Sequence, residues 1–283
     1  MSVTLNDATP SATPMTLLAA SVITGLLLLA PPGSAATGTI KQTLEGLLNQ
    51  PNLKEAPPAL SDRLDPIRFQ PVAQARKILP ATLSLLRSEN PSLQEIGSMA
   101  LIAIALRQDS AELLGPILPE LVTLLDTHDP THSGTALGLL SLLNPKPPAS
   151  LVPYLLPRLA DGKASPQKLS VLSRTLLRAA PDDPAVVGAI LNLLQEHPGM
   201  RADVVQMMGV AHTVDERAVA FLGASLSDED SDVRLMAAQA LEKQPVETIR
   251  SFGRQLAKIA GDPHELSFTR ESAARALKRI GPQ

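Results

Sequence analysis

The chain of 283 residues contains no Cys, no Trp, one Tyr and four Phe. Without thiols there are no disulfides, no thiolate metal ligands and no lipid-modified Cys behind a leader. With so few rings, base-stacking platforms and aromatic-walled pockets have almost nothing to be built from. An excess of positive charge is missing too. Lys and Arg number 25 against 28 Asp and Glu, a formal net charge of -3, so the chain as a whole exerts no pull on phosphates and nucleic acid is not an expected partner. No phosphate-cradling Gly loop, Gly-x-Ser-x-Gly elbow or dinucleotide fingerprint occurs. What is there is aliphatic: 44% of residues are hydrophobic, and Leu, Ala, Val and Ile must do the packing. That composition suits stacked helices, and the length suffices to bury a sizeable core.

Residues 17–30 form an apolar run without a charge, ended by Pro31, Pro32 and Gly33 and followed by Ser34, Ala35 and Ala36. The run fits the h-region of a secretory signal and is shorter than the ~20 residues of a membrane span. Ser34 and Ala36 obey the small-residue rule for signal cleavage, which places the cut between Ala36 and Thr37. The residues ahead of the run hold Asp7 and no Lys or Arg, unlike an ordinary signal, so an uncleaved anchor and a cytoplasmic leader stand as alternatives. The expectation is an extracytoplasmic protein that touches a membrane, if at all, only through residues 15–30. Residues 37–68 then read as a short helix near 39–49 and a linker rich in Pro and Ala over 50–64.

Self-similarity decides the fold. Leu79-Pro80, Leu118-Pro119 and Leu156-Pro157 each open a leucine-bearing run, and their prolines lie 39 and 38 residues apart. The string Val233-Arg234-x-x-Ala237-Ala238-x-Ala240-Leu241 returns 36 residues later as Thr269-Arg270-x-x-Ala273-Ala274-x-Ala276-Leu277. Sliding that frame backward gives six anchors, Leu101, Leu139, Leu176, Met208, Leu241 and Leu277, spaced 38, 37, 32, 33 and 36 residues apart. Each interval holds two apolar stretches of helical length, separated by punctuation such as Asn90-Pro91, Asp129-Pro130, Ser165-Pro166 and Asp262-Pro263. Val233, Ala237, Ala240 and Leu241 fall at i, i+4, i+7 and i+8, a single buried stripe whose small residues let a neighbouring helix come close. No alternating strand pattern of useful length occurs. The pattern predicts an all-α solenoid, a superhelix of stacked antiparallel helix pairs, with about six units over residues 69–283.

Residues 226–241, with their acidic turn, the Val233-Arg234 pair and an Ala-rich second helix, resemble a HEAT repeat of the type found in phycobilisome lyases. Residues 266–281 carry a second copy. Over residues 71–199 the likeness is of period alone, which armadillo-like repeats share. The resemblance implies a scaffold that binds another protein on one face. It also implies a rival, because this repeat type occurs in lyases that attach or handle bilins. Such a lyase, or another small-ligand binder, needs paired acid and base groups and aromatic walls around one pocket, and neither is visible. HEAT-like DNA glycosylases are a second rival, one that needs the Trp and Tyr this chain lacks.

Asp126, His128, Asp129 and His132 are the densest set of potential metal ligands. Pro130 keeps the histidines off one helix face, and Asp129 reads more simply as a helix cap. Asp228, Asp230 and Asp232 mimic the start of a calcium loop, but Val233 stands where that loop needs Gly and Gln239 where it needs Glu. A role at the start of a helix remains for them. Ser165 and Lys168 match the Ser-x-x-Lys string of acyl enzymes without its companion elements, and Ser165 fits an N-cap. No catalytic residue, metal or cofactor is therefore expected. The chain's last stretch sets Arg250, Arg254, Lys258, Arg270, Arg275, Lys278 and Arg279 against Asp262, Glu265 and Glu271, a local excess of four positive charges. Arg250, Arg254 and Lys258, at i, i+4 and i+8, share a helical face. Tyr154, Phe69, Phe221, Phe252 and Phe268 read as core fillers. The sequence thus points to a non-catalytic scaffold for a protein partner, with Arg234, Arg250, Arg254, Arg270 and Arg275 as contact candidates. Arg234 has a second reading, as a tie between neighbouring units through the acidic turns.

Overall fold

The computed structural model describes residues 36–50, 52–57, 60–127, 129–161, 164–211 and 214–281. The apolar leader and His128 lie outside the described residues. Ala36 and Thr37 form the start of the first helix, α1 (Ala36–Leu48), which buries Ile40, Leu44 and Leu47. The stretch read as a linker is docked. Leu53 O accepts from Asn90 Nδ2 at 2.9 Å, Lys54 O accepts from Ser92 Oγ at 2.9 Å, and the short helix α2 (Leu60–Leu64) buries Leu60 and Leu64. A 3-10 turn over Asp65–Phe69 follows.

From there the chain repeats one device, an A helix followed by an antiparallel B helix. Unit 1 pairs α3 (Val72–Leu86) with α4 (Pro91–Ala105). In unit 2 the A helix is split into α5 (Ser110–Leu114) and α6 (Leu118–Thr123), and the B helix is α7 (Pro130–Leu142). Unit 3 pairs α8 (Val152–Ala160) with α9 (Pro166–Ala179), and unit 4 pairs α10 (Pro184–Glu196) with α11 (Arg201–Ala211). Unit 5 has α12 (Glu216–Ser225) and α13 (Ser231–Lys243). In unit 6 the A helix is again divided, into α14 (Val246–Ser251) and α15 (Gly253–Gly261), ahead of α16 (Ser267–Ile280). The protein is an all-α solenoid, and among the described residues there is no strand.

Polar punctuation starts these helices. Asn90 accepts from Ser92 N at 2.9 Å, Asp129 from Thr131 N at 2.8 Å, Ser165 from Lys168 N at 3.3 Å and Asp183 from Ala185 N at 2.8 Å. In each case a Pro follows the cap, where its missing N–H costs nothing and its fixed φ suits the first turn. The anchors Leu101, Leu139, Leu176, Met208 and Leu241 are buried, whereas Leu277, in the last described helix, is only partly so.

The B helices approach one another more closely than the A helices do, and together they form one row, termed the inner row. Between α11 and α13 the approach needs glycine: a Cβ on Gly209 would lie 2.4 Å from that of Ala240. Between α4 and α7, Thr135 Oγ1 donates to Ser98 Oγ at 2.7 Å. Charged staples tie several of the units to their neighbours. Arg201 pairs with Asp228 at 2.8 Å, Arg234 with Glu265 at 2.6 Å and Arg275 with Glu242 at 2.8 Å, and Arg87 pairs with Glu120. Arg107, Arg178, Arg217 and Arg279 each reach back to a backbone carbonyl earlier in the stack, donating to those of Ile67, Leu143, Pro184 and Gln244.

The rings are where the sequence reading needs correction. Phe69, Tyr154 and Phe268 are 61%, 43% and 68% exposed, and only Phe221 and Phe252 pack against the core. Leu and Ala fill most of the space between the helices, and only those two rings find room there. The exposed rings sit instead at or near the ends of helices, with the Arg68 guanidinium 5.6 Å from the Phe69 ring centre.

Candidate interaction surfaces

The inner row exposes one helical position in register. Two residues before each anchor stand Met99, Leu137, Arg174, Gln206, Gln239 and Arg275, all partly or fully exposed while the anchors beside them, Leu277 apart, are buried. The stack itself creates this stripe: residues at the anchor and three before it pack inward or against the next B helix, which leaves the position between them in solvent. Its chemistry changes along the chain, from apolar in units 1 and 2 to polar or cationic in units 3 to 6. Beside Leu137, Gly134 and Gly138 have open space where a Cβ would stand.

The five arginine candidates separate into two groups. Arg234 is built into the solenoid: Nε and Nη2 donate to Glu265 at 2.6 and 3.1 Å, and Nη1 donates to the carbonyls of Asp228 and Glu229, each at 2.9 Å. The hydrogen bonds from Arg234 hold the Glu265 carboxyl below the usual carboxylate range, and the same bonds raise the Arg234 guanidinium further. Arg270 donates to Glu265 O at 2.7 Å, and Arg275 reaches Glu242 across the unit boundary and Ser272 Oγ at 2.9 Å. Arg250 and Arg254 are exposed and make no hydrogen bond or ion pair among the described residues, and Lys258 is the same. The expectation of one continuous helix through these three does not hold. The backbone breaks at Phe252, with φ -107° and ψ 9°, because its ring is pressed onto Gly223 of α12. Burial still runs through the break, at Ile249, Gly253, Leu256 and Ile259, so all three cations face outward.

The other candidate clusters are occupied by structural work. Asp126 pairs with Arg158, while Asp129 caps α7 and lies 3.3 Å from His132 Nδ1, and His132 Nε2 lies 2.9 Å from Leu86 O, so only Asp129 and His132 come together. Asp228 accepts from Asp230 N at 3.0 Å, and Asp230 from Asp232 N at 2.8 Å. Burial pushes the Asp228 carboxyl up, but the Asp230 N–H and Arg201 outweigh it and hold it low. Ser165 Oγ accepts the Lys168 N–H, while the Lys168 ammonium donates to Leu125 O in unit 2. Among the described residues no group of His, Asp and Glu could hold a metal ion. A groove of about 390 Å³ opens between α8 and α10, floored by Leu156, Leu159 and Leu193 and widened by Ala185, Gly188 and Ala189, and Glu196 is its one charged lining residue. It lacks the convergent polar groups that fix a small ligand. No helix among the described residues is long and apolar enough to cross a membrane.

Comparison with known proteins adds structural likeness only. No family model matches the chain, and no curated protein does. An engineered protein of known structure is 20% identical, with a TM-score of 0.48, over 84% of this chain and 68% of its own. A designed armadillo repeat protein in complex with the peptide (KR)4 is 17% identical, with a TM-score of 0.44, over 87% of this chain and 100% of its own. Computationally designed armadillo repeat proteins for modular peptide recognition are 17% identical, with a TM-score of 0.41, over 84% of this chain and 98% of theirs.

Proposed function

We propose that the protein is a non-catalytic HEAT-like scaffold that binds a protein partner along the inner row of B helices. The observation that carries this reading is the stripe from Met99 to Arg275, one open position per unit at the same helical place. An extended or helical segment laid across the row meets a new side chain in each unit, and substitutions there leave the buried anchors untouched. The residues that support a HEAT-type unit are Val233 to Leu241 and Thr269 to Leu277, with Arg234 acting as the tie between units. The apolar leader supports placement outside the cytoplasm, with Ala36 and Thr37 flanking the cleavage point. The formal net charge of -3 and the scarcity of rings, one Tyr and four Phe in the whole chain, argue against nucleic acid.

The test is to express the full chain with a C-terminal tag in its native host, capture it with brief cross-linking, and identify bait and companion by intact and peptide mass spectrometry. The expected result is a bait beginning at Thr37 and a near-stoichiometric companion cross-linked to the inner row, lost when Arg174→Glu and Gln206→Glu are introduced together. A bait without a companion that carries a small-molecule adduct overturns the scaffold reading.

A further inference from the structure

We infer that the outer helix of unit 6 is a docking surface for a carboxylate-rich segment of a partner protein, gripped by Arg250, Arg254 and Lys258. This surface lies on the A-helix side and stands apart from the inner-row reading. Its motive is an imbalance in how the chain uses its arginines. Among the described residues, every Arg but Arg63, Arg174, Arg250 and Arg254 is ion-paired or donates to a carbonyl. Arg63 and Arg174 stand alone in different parts of the solenoid, whereas Arg250 and Arg254 flank the break at Phe252 on the outward face and Lys258 is one turn beyond Arg254.

The patch is held in place from beneath. Phe252 packs onto Gly223 so tightly that a Cβ there would lie 2.0 Å from the ring, and Ile249 and Leu256 are fully buried on either side. The cations therefore project from a fixed backbone. Nearby acids do not neutralise them: Glu265 belongs to Arg234, Glu271 lies 3.9 Å from Arg275, and Glu247 and Asp262 form no ion pair. A guanidinium fork matches a carboxylate in two parallel hydrogen bonds. Arg254 and Lys258 rise ~6 Å along α15, close to the ~6.6 Å between alternate residues of an extended strand, and Arg250 stands just before the break at Phe252. An extended segment with an acid at every second residue thus fits the spacing. A protein segment suits this patch better than a phosphate surface does. Residues 91–242 carry eighteen carboxylates against ten Lys and Arg, so an extended anionic sheet or duplex is repelled by the middle units, while a short acidic segment touches unit 6 alone.

A labelled peptide of alternating Glu and Thr, titrated with the full chain at low salt and followed by fluorescence anisotropy, tests this. Saturable binding is expected. It should weaken by about tenfold or more in Arg250→Glu/Arg254→Glu and less in Lys258→Glu. The double variant Arg63→Glu/Lys77→Glu, which changes net charge by the same amount at exposed positions outside the inner row, should bind like the parent. These positions are exposed, and circular dichroism checks that each variant keeps its helices. The inference is overturned by no saturable binding, or by equal loss in the Arg63/Lys77 variant. It is likewise overturned if phosphatidylserine vesicles or a short DNA duplex bind more tightly than the peptide through the same two arginines.

Discussion

Units 4 to 6 and units 2 to 3 make the same helix pair by different packing. In the first group α11, α13 and α16 meet through Gly209, Ala237, Ala238, Ala240, Ala273 and Ala276, nearly all with no exposed surface, and Arg–carboxylate pairs close the boundaries. In the second, α7 and α9 are filled by Leu139, Leu140, Leu169, Leu172, Leu176 and Leu177, and the A helix of unit 2 is broken by Gly115, Pro116 and Pro119. Backbones that nearly touch dictate which positions must be small. Leucines that fill a wider gap can be rearranged at constant volume with little loss. The lesson is that a repeat signature survives where backbone approach constrains it and fades where side chains only fill space.

The largest expected effect tests the leucine-filled region. Leu176→Ala removes a fully buried side chain between α9 and its neighbours and should cost about 3 kcal/mol in urea unfolding, since a wide aliphatic layer collapses poorly around the void. A cost below about 1 kcal/mol would show that units 2 and 3 are plastic and not merely wider.

The next effect belongs to the close-packed region. Gly209→Ala puts a Cβ 2.4 Å from that of Ala240 and 2.6 Å from its Cα. Backbone, not a flexible tip, must move, and the expected cost is about 2 kcal/mol by thermal or urea unfolding. Hydrogen exchange should place the loosened amides in α11 and α13.

Third comes the staple. In the Arg234–Glu265 pair the side chains are 22% and 7% exposed, so Arg234→Gln leaves a nearly buried carboxylate without its partner. With partial solvent screening, the loss is about 1 to 2 kcal/mol at neutral pH. The pH dependence has a definite sign. Because Arg234 lowers the folded Glu265 pKa, its contribution is complete above the unfolded Glu value of ~4.3 and disappears as pH falls through the lower folded value. The parent should therefore lose stability on acidification below pH ~4.3, and Arg234→Gln should show a shallower loss there.

The two regions also explain what was legible in the sequence. Period, helix pairing and the anchors could be read because each anchor must be apolar and all but Leu277 are buried. Caps followed by Pro could be read because the start of a helix has its own chemistry. The Leu-Pro repeat was half legible: Pro80 and Pro157 lie inside α3 and α8, whereas Pro119 starts α6, since Gly115 and Pro116 had already broken the helix. The exposed rings were misread because hydrophobicity alone does not reveal how thin an aliphatic layer is. Of the contact candidates, Arg234, Arg270 and Arg275 were recognisable as cations, but their carbonyl and carboxylate partners are set by how units stack, which no local pattern encodes. Only the acidic turn before Arg234 gave a hint of its role.

The smallest effect sharpens the comparison most, because it repeats one substitution with the opposite sign. Gly138 lies in α7, in the wide region, and a Cβ there meets nothing within 4 Å. Its backbone is helical, so Ala adds no strain, removes freedom from the unfolded chain and favours the helix, a gain of about 0.5 to 1 kcal/mol. Gly209→Ala loses stability because α13 stands where the methyl must go, whereas Gly138→Ala gains because that space is empty. Paired urea titrations of the two variants against the parent measure this directly. If both destabilise, Gly138 is held small by something that covers the inner row of unit 2, and adding the captured partner should then widen the difference between parent and Gly138→Ala.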